Sequence, residues 1–256
     1  QLIVISLSGG LGNQMFQYAF GKACAIKNQT DIILDISRLE RSHTSPNNTT
    51  RSLEIHIFNS EITIASVKDL KKHKPIMYKI ANVIAINTGY GGIQTSKYFI
   101  ENKFYFNKKI SLISTNCFIS GYWQSYLYFN KIKTFIDDEY KFPELINIQN
   151  RSIMKEIKTV NSISLHIRRT DYINNNNNTE GHIVCSVDYY LKAVAVLSNK
   201  VVEPVFFIFS DDINWAKKNI HLKYPCKFIS NNTGKSSYID MQLMSNCKHN
   251  IISNSS

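Results

Sequence analysis

The sequence predicts an α/β protein of two lobes, each with a parallel sheet, whose strand ends face a shared cleft. Strand-like and helix-like stretches alternate through both halves of the 256 residues, which is the pattern of parallel strands joined by crossover helices. Polar segments follow four of the predicted strands, after Leu7, Ile167, Phe209 and Ile252. Ligands of open parallel sheets bind beyond the carboxyl ends of the strands, so we expect the functional residues in these segments.

The first half, residues 1–150, is predicted as one lobe. Residues 2–7 are rich in branched apolar side chains and end in a glycine-rich break, after which residues 15–27 resume with helical spacing. Pro143 and the polar stretch that follows it to Arg151 suit a linker. The remaining expectations are strands at 32–35 and 117–122, helices within 67–85 and 125–135, and a surface loop at 38–51.

The second half, residues 151–256, is predicted as the other lobe. It opens with an apolar strand at 162–167, and a helix is expected near Ser186, which is a good N-terminal cap. Pro204 opens the most apolar strand, at 205–209. The remaining expectations are helices at 213–219 and 238–247 and strands at 228–230 and 250–253.

The composition favours a cytoplasmic protein with anionic partners. The net charge is +11 and the isoelectric point about 9.3, which suits nucleic acid, an acidic membrane surface or a phosphorylated small molecule. The five cysteines are scattered without a Cys-x-x-Cys pair, which argues for free thiols and against a disulfide framework or a zinc site. We find no secretory signal and no apolar run near the ~20 residues that cross a bilayer.

The first candidate constellation is the glycine-rich break, Gly9-Gly10-Leu11-Gly12-Asn13-Gln14. Glycines at the start of a helix let backbone N–H groups approach an anion, and the adjacent amides of Asn13 and Gln14 can read sugar hydroxyls. The motif is neither a dinucleotide fingerprint nor a P-loop, and a plain strand-to-helix turn is the alternative.

The second constellation is His166-Ile167-Arg168-Arg169-Thr170-Asp171, at the end of an apolar strand. Arginine is suited to a bidentate grip on phosphate and stays charged at any working pH, so Arg168 and Arg169 together can hold a diphosphate. The alternative is a solvated basic turn paired with Asp171.

The third and fourth constellations also follow strands. In Ser210-Asp211-Asp212, a carboxylate can accept the ring N–H and the amino group of guanine, while Asp212 or Ser210 caps the next helix. Capping alone and a metal site are the alternatives, although neither His nor Glu lies close by.

Ser253-Asn254-Ser255-Ser256 offers hydroxyls and an amide to phosphate oxygens, or is only a polar tail. The aromatic residues of the first half that suit a sugar platform, or simple core, are Tyr122, Trp123 and Tyr126.

These segments, in this order, resemble the bacterial α-1,2-fucosyltransferases of glycosyltransferase family eleven. The basic motif is also shared with core α-1,6 and protein O-fucosyltransferases, whereas the first and last motifs are more specific. Relatives carry glycine where this chain has Thr170, and they continue through a Trp-rich segment beyond Ser256, so we expect a truncated C-terminus. The matching stretches are 9–19, 121–124, 166–172, 210–215 and 240–256.

The resemblance implies a GT-B fold of two Rossmann-like lobes, with GDP-fucose on the C-terminal lobe, the acceptor mainly on the N-terminal lobe, and inversion at fucose without a metal or a cofactor. It implies that Arg168 and Arg169 grip the diphosphate, that Asp211 reads guanine, that Ser255 and Ser256 contact phosphate, and that Asn13 reaches the fucose or diphosphate. The expected partners are GDP-fucose and a galactoside of O-antigen or capsule synthesis, with peripheral contact to an anionic membrane surface and no nucleic acid.

The general base is expected close to the basic motif. Asp171 is the first candidate and His166 the second, and Glu180 or His182 in the following loop could substitute. Two alternatives remain. One is a fucosyltransferase that forms another linkage. The other is a basic nucleic-acid-binding protein, although the sequence contains no recognisable nucleic-acid-binding motif.

Overall fold

The chain forms two compact units, residues 1–143 and 144–255. Each unit has a four-stranded sheet in which all paired strands are parallel, so the predicted α/β class with two parallel-sheet lobes is confirmed. The computed structural model describes residues 1–42, 51–58, 61–73, 97–101, 105–108, 115–170 and 184–255.

The sheet of the first unit has the strand order β2-β1-β4-β3. Its central strand β1 is fully buried at Ile3, Val4 and Ile5, which explains the run of branched apolar residues at the start of the chain. The third strand of the unit escaped the sequence analysis because it is only three residues long. The strands are β1 (Leu2–Ser6), β2 (Asp31–Asp35), β3 (Tyr98–Ile100) and β4 (Cys117–Ser120).

Helix α1 (Leu11–Asn28) follows β1 after a turn in which Gly9 has a φ of 77°. The helix begins four residues before the predicted Met15, because Gly10 serves as the N-cap and Gly12 to Gln14 already belong to the first turns. The glycine-rich break is therefore a short turn leading into a helix.

The other helical segments of the first unit differ from the predicted ones. The stretch interpreted as a loop from residue 38 begins with a helix, and the helix expected at 125–135 is replaced by two 3₁₀ turns followed by a helix. Residues 43–50 and 74–96 lie outside the described part of the chain. The elements are α2 (Ser37–Ser42), α3 (Val67–His73), the 3₁₀ turns Tyr126–Tyr128 and Asn130–Ile132, and α4 (Lys133–Glu139).

The sheet of the second unit has the strand order β7-β6-β5-β8. Its register places Ile167 beside Ser210 and Leu165 beside Ile251, so three neighbouring strands end at nearly the same level. The strands are β5 (Asn161–Ile167), β6 (Pro204–Ser210), β7 (Cys226–Ile229) and β8 (His249–Ile251).

The unit boundary falls earlier than the predicted division between residues 150 and 151. The polar stretch interpreted as a linker contains a helix start, because the Asn147 side chain accepts hydrogen bonds from the N–H groups of Gln149 and Asn150. Ser186 caps its helix as predicted, accepting from the N–H of Tyr189. The helices are α5 (Ile148–Thr159), α6 (Val187–Ser198), α7 (Ile213–Asn219) and α8 (Tyr238–Ser245).

The sheet of the second unit is covered on both faces. Phe206 and Ile208 pack into one apolar cluster, while Phe207 and Phe209 pack into another. Because alternate side chains of a strand point to opposite faces, burial on both sides requires the continuous apolar run of β6.

All five cysteines lie in the described part of the chain and are free thiols. Within the same residues, no helix combines the length and the apolar character that a bilayer crossing requires.

We predict that Gly21→Val lowers the free energy of unfolding by about 1–2 kcal/mol, because extra methyl groups overpack a filled core. A Cβ at Gly21 would lie 2.6 Å from Cγ1 of the buried Ile5. Urea unfolding measures the change, with Ile26→Val, on the exposed side of α1, as the control. Unchanged stability of the Gly21 variant would contradict the close contact between α1 and β1.

Candidate functional site

The carboxyl ends of the strands in the second unit bring the predicted motifs together. Residues 168–170 follow β5, residues 211–212 follow β6, and residues 252–255 follow β8. Because β5 lies between β6 and β8 in a parallel sheet, the three segments share one edge. Asp171, Glu180, His182 and Ser256 lie outside the described residues, so their predicted roles stay predictions.

The Asp211 carboxylate holds the basic turn in place. Oδ1 accepts from the backbone N–H of Arg169 at 2.9 Å, and Oδ2 accepts from the N–H and the hydroxyl of Thr170 at 3.0 and 2.6 Å. Nε of Arg168 lies 3.3 Å from Oδ2. These contacts use most of the acceptor capacity of the carboxylate. Asp211 therefore shapes the arginine turn, and the expectation that it reads guanine stays a prediction.

The two arginines of the turn have different surroundings. The guanidinium carbon of Arg169 lies 3.6 Å from the ring centroid of Trp215, and its Nε lies 4.0 Å from Oδ2 of Asp212. This stacking fixes the plane of the Arg169 guanidinium. Arg168 instead pairs with Asp211 at the end of β5 and keeps 27% of its side chain exposed. The Arg169 side chain is 17% exposed, so Arg168 is the more accessible of the two.

Asp212 caps α7, as one of the two sequence interpretations proposed. Its Oδ1 accepts from the backbone N–H of Trp215 at 3.1 Å. Ser210 does not cap the helix, because its hydroxyl oxygen accepts from the N–H of Asp212 at 3.0 Å and braces the turn. Both side chains therefore build the frame around the arginines, and nucleotide contact by either of them stays a prediction.

His166 lies beneath the arginine turn and contacts the last motif. Its Nδ1 is 3.2 Å from the hydroxyl oxygen of Ser253, which is 3% exposed. Burial, together with the nearby charge of Arg168, lowers the pKa of His166, although Asp211 opposes the shift. Both causes favour the neutral form of the imidazole over the protonated one.

The tail after β8 is held from the side of α6. The hydroxyl of Tyr189 donates to the carbonyl of Ile252 at 2.7 Å, and Sγ of Cys185 lies 3.6 Å from Oδ1 of Asn254. The structure thus places Asn254 and Ser255 at the same sheet edge as the arginines, where the sequence predicted them.

A polar cluster beside β7 was missed by the sequence analysis. Asn232 and Asn150, which are 8% and 2% exposed, bond to each other, and Nδ2 of Asn232 donates to Oδ1 of Asp240 at 2.7 Å. Burial raises the pKa of Asp240 to about 6, and the Asn232 hydrogen bond only partly offsets the rise. Polar residues directly after β7, followed by an acidic residue in the first turn of α8, were the available signal.

The edge of the first unit is organised by buried amides. Nε2 of Gln14 donates to the carbonyls of Gly9 and Ser52, and its Oε1 accepts from the N–H groups of Glu54 and Ile55. Gln14 is fully buried, and its amide has no capacity left for a ligand. The expectation that Gln14 contacts the donor is therefore wrong.

Asn13 is placed differently from Gln14. It is only partly buried, and its Oδ1 accepts from Nε2 of Gln124 at 2.7 Å. Gly10 caps α1 without a side-chain hydrogen bond, and the first turn, which includes Gly12, carries no acidic residue. The positive end of the α1 dipole is thus not neutralised by a carboxylate of its own first turn, which suits the predicted approach of an anion.

The aromatic residues after β4 divide between core and surface. Trp123 is fully buried and stacks on Phe20 with 4.1 Å between the ring centroids, so it belongs to the core. Tyr122 and Tyr126 are 36% and 63% exposed, and these two remain candidates for a sugar platform.

The acidic and sulfur-bearing side chains are dispersed. Over the ranges that the structure describes, no three His, Cys, Asp or Glu residues gather in a way that could hold a metal ion. A metal role for the adjacent aspartates gains no support, because Asp211 and Asp212 bind the turn and the helix start.

Comparison with known proteins identifies the family to which this chain belongs. The family model described as "Glycosyl transferase family 11" matches residues 2–256. Two parallel-sheet units with a basic turn at a strand end therefore form a glycosyltransferase. The chain belongs to glycosyl transferase family 11.

The chain is also similar to individual glycosyltransferases that have been named. An Escherichia coli protein named alpha-1,2-colitosyltransferase is 33% identical over all of this chain and 84% of its own length. The O-antigen biosynthesis glycosyltransferase WbnK of E. coli is 35% identical over 97% of this chain and 85% of its own. The rat galactoside alpha-(1,2)-fucosyltransferase 2 is 22% identical over 52% of this chain and 39% of its own.

We predict that Asp240 makes the protein less stable as the pH rises from about 4 to about 6. A folded-state pKa near 6 exceeds the ordinary value of 3.8, so the folded protein holds the proton more tightly, and its stability falls as that proton leaves. The full shift corresponds to at most about 3 kcal/mol. Urea unfolding at pH 4.5 and 7 should show a smaller decline for Asp240→Asn. The control is Asp188→Asn, on the surface of α6, and identical slopes in the wild type and the Asp240 variant would contradict the assignment.

Proposed function

We propose that this glycosyltransferase moves L-fucose from GDP-β-L-fucose to the 2-hydroxyl of a terminal galactoside, with inversion and without a metal ion. The product is an α-1,2 linkage in an O-antigen or capsule glycan. The observation that carries the proposal is the Arg168–Arg169 turn, fastened by Asp211 at the edge of the second sheet. Family membership and the names of the relatives supply the context of glycan synthesis.

The diphosphate of the donor is expected at Arg168 and Arg169. As the bond between fucose and phosphate breaks, negative charge collects on the departing GDP, and a guanidinium that is already in place stabilises it without reorganising. Asp211 fixes the turn, and Trp215 fixes Arg169, before any ligand arrives. Ser255 and Asn254, at the end of β8, are expected to contact phosphate oxygens from the side.

The guanine base is expected near Asp240 rather than Asp211. The ring N–H and the amino group of guanine both need an acceptor, and Asp211 already uses its oxygens on the basic turn. Asp240 stands in the first turn of α8 and accepts one hydrogen bond from Asn232. Two N–H donors of guanine would also favour its ionised form, against the burial that raises its pKa.

The transfer needs a base for the acceptor hydroxyl. The base takes the proton from the 2-hydroxyl, the oxygen forms a bond to C1 of fucose, and the C1–O bond to phosphate breaks as GDP leaves with the electron pair. Asp171 is the first candidate for the base. His166 is the second, because its lowered pKa keeps the imidazole in the neutral form that a base requires.

Colitose is the second candidate for the donor sugar. It is the 3-deoxy counterpart of fucose, and one E. coli relative carries it in its name. The deciding experiment follows GDP release and product formation from GDP-fucose and GDP-colitose with a panel of β-galactosides, with and without EDTA. We expect faster transfer of fucose, no effect of EDTA, and an α-1,2 linkage in the product. Faster transfer of colitose, or loss of activity with EDTA, would contradict the corresponding part of the proposal.

We predict that Arg168→Ala loses transfer by roughly 30- to 1000-fold while the protein stays folded. Removing one preorganised cation from a developing phosphate charge costs about 2–4 kcal/mol of transition-state stabilisation. Turnover and urea unfolding measure the two effects. Arg151→Ala, on the exposed surface of α5, is the matched control and should keep full activity. Unaltered turnover in the Arg168 variant would refute its role.

A further inference from the structure

A carboxylate that the sequence analysis did not single out lies at the carboxyl edge of the first sheet. Glu101 directly follows β3, and its Oε2 accepts from the backbone N–H groups of Tyr122 and Trp123 at 2.6 and 2.8 Å. A Cβ on Gly121 would lie 2.8 Å from the same oxygen, so glycine leaves the room that this approach needs. Glu101 therefore fastens the turn that follows β4.

The turn itself needs only one of the two oxygens of this carboxylate. A neutral amide oxygen could accept from the same two N–H groups without placing a charge in a partly buried site. Burial raises the pKa of Glu101, although the two N–H groups of the turn oppose the shift. Oε1 of Glu101 accepts no hydrogen bond from any residue that the structure describes, so this second oxygen keeps its capacity for a ligand.

A guanidinium reaches the same edge from helix α2. Nη1 of Arg38 donates to Oγ of Ser120 at 3.2 Å, while the backbone N–H of Glu101 donates to the carbonyl of Ser120 at 2.8 Å. Ser120 is the last residue of β4, so Arg38 and Glu101 both contact the end of one strand. A guanidinium has five N–H donors, and within the described ranges the Arg38 side chain makes only this one hydrogen bond.

The two charges limit the ligand that this edge can hold. Neither Glu101 nor Arg38 forms an ion pair with another residue in the part of the chain that the structure describes. Glu101 repels a phosphate, and Arg38 repels a cation. A neutral sugar suits both side chains, because each hydroxyl group donates one hydrogen bond and accepts others. Tyr122, whose side chain is 36% exposed, adds an aromatic residue to the same turn.

We propose that Glu101 and Arg38 bind the acceptor galactoside: Oε1 of Glu101 accepts from one sugar hydroxyl, and the Arg38 guanidinium donates to another. This proposal rests on the proposed function. The donor diphosphate is assigned to the arginine turn of the second unit, so a neutral sugar at the edge of the first unit is the acceptor. Glu101 and Arg38 then select the acceptor and take no part in the transfer of the proton or of fucose.

Glu101→Gln separates the binding role from the structural one. The amide oxygen of glutamine still accepts from the two N–H groups of the turn, while its NH₂ group replaces Oε1 and cannot accept. Arg38→Met keeps an extended side chain and removes its donors. The matched controls are Glu61→Gln, at an exposed position of the first unit, and Arg41→Met, at an exposed position of α2.

We expect Glu101→Gln to raise the KM for the β-galactoside about tenfold or more, because a hydrogen bond to a charged group is lost. The kcat and the KM for the proposed GDP-fucose donor should change by less than about threefold. Arg38→Met should raise the acceptor KM by at least about threefold. Both variants, like the controls, should keep wild-type affinity for GDP in calorimetry and near wild-type stability in urea.

A series of galactosides that each lack one hydroxyl, other than the reacting 2-hydroxyl, identifies the group that Glu101 binds. In the wild type, loss of that hydroxyl leaves the carboxylate unpaired and raises the acceptor KM. In Glu101→Gln the same loss should raise the KM little further, because its partner is already gone.

An unchanged acceptor KM in Glu101→Gln would overturn the proposal, since a purely structural glutamate is replaced by glutamine without effect on binding. A change confined to the donor KM, or additive losses for every galactoside in the series, would also overturn it. If Glu101→Gln folds poorly, Arg38→Met with the same series decides between the same outcomes. Failure of the proposed function is distinct, because the wild type itself would then transfer neither fucose nor colitose.

Discussion

The candidate site depends on one carboxylate that joins the ends of two neighbouring strands. Asp211 follows β6, yet its oxygens bind the backbone and side chains of the turn that follows β5. Two adjacent arginines repel each other and gain entropy by moving apart in water. A half-buried anion beneath them offsets the repulsion and fixes the backbone from which both side chains project. The geometry of the arginine turn is therefore fixed without a ligand.

In the first unit, buried side-chain amides fix the backbone of the turns in the way that the Asp211 carboxylate does in the second unit. Gln14 and Gln17 are fully buried and exchange hydrogen bonds with the backbone of turns that are distant in sequence. A loop with unsatisfied backbone groups would move or bind water, and each glutamine satisfies both N–H and C=O groups at once. Loops at strand ends, which are usually the mobile parts of an α/β protein, are thus made rigid where Asn13 and Gln124 emerge.

Family membership identifies the type of reaction, and the geometry distinguishes the roles of the individual residues. Membership of glycosyl transferase family 11 gives the type of reaction, while the contacts divide the residues of each motif by task. Within His166 to Thr170, one arginine stacks on Trp215 and the other stays more accessible. Within Ser210 to Asp212, all three side chains build the frame. A motif is therefore a mixture of residues that contact ligand and residues that hold those in place.

The sequence alone determined the α/β class, the parallel sheets, the helix cap at Ser186 and the strand ends where the motifs lie, and it left Asp212 and Ser210 as the two candidate caps of α7. These features follow from local propensity, apolar periodicity and the identity of single residues, so they can be read without knowing the fold. Only the tertiary structure decided that Asp211 binds the arginine turn, that Gln14 is buried with its amide saturated, and that Asp240 joins Asn150 and Asn232. These contacts join residues that are 5 to 82 positions apart. The strand order and register determine which polar groups form hydrogen bonds with each other. Neither can be inferred from the spacing of residues in the sequence.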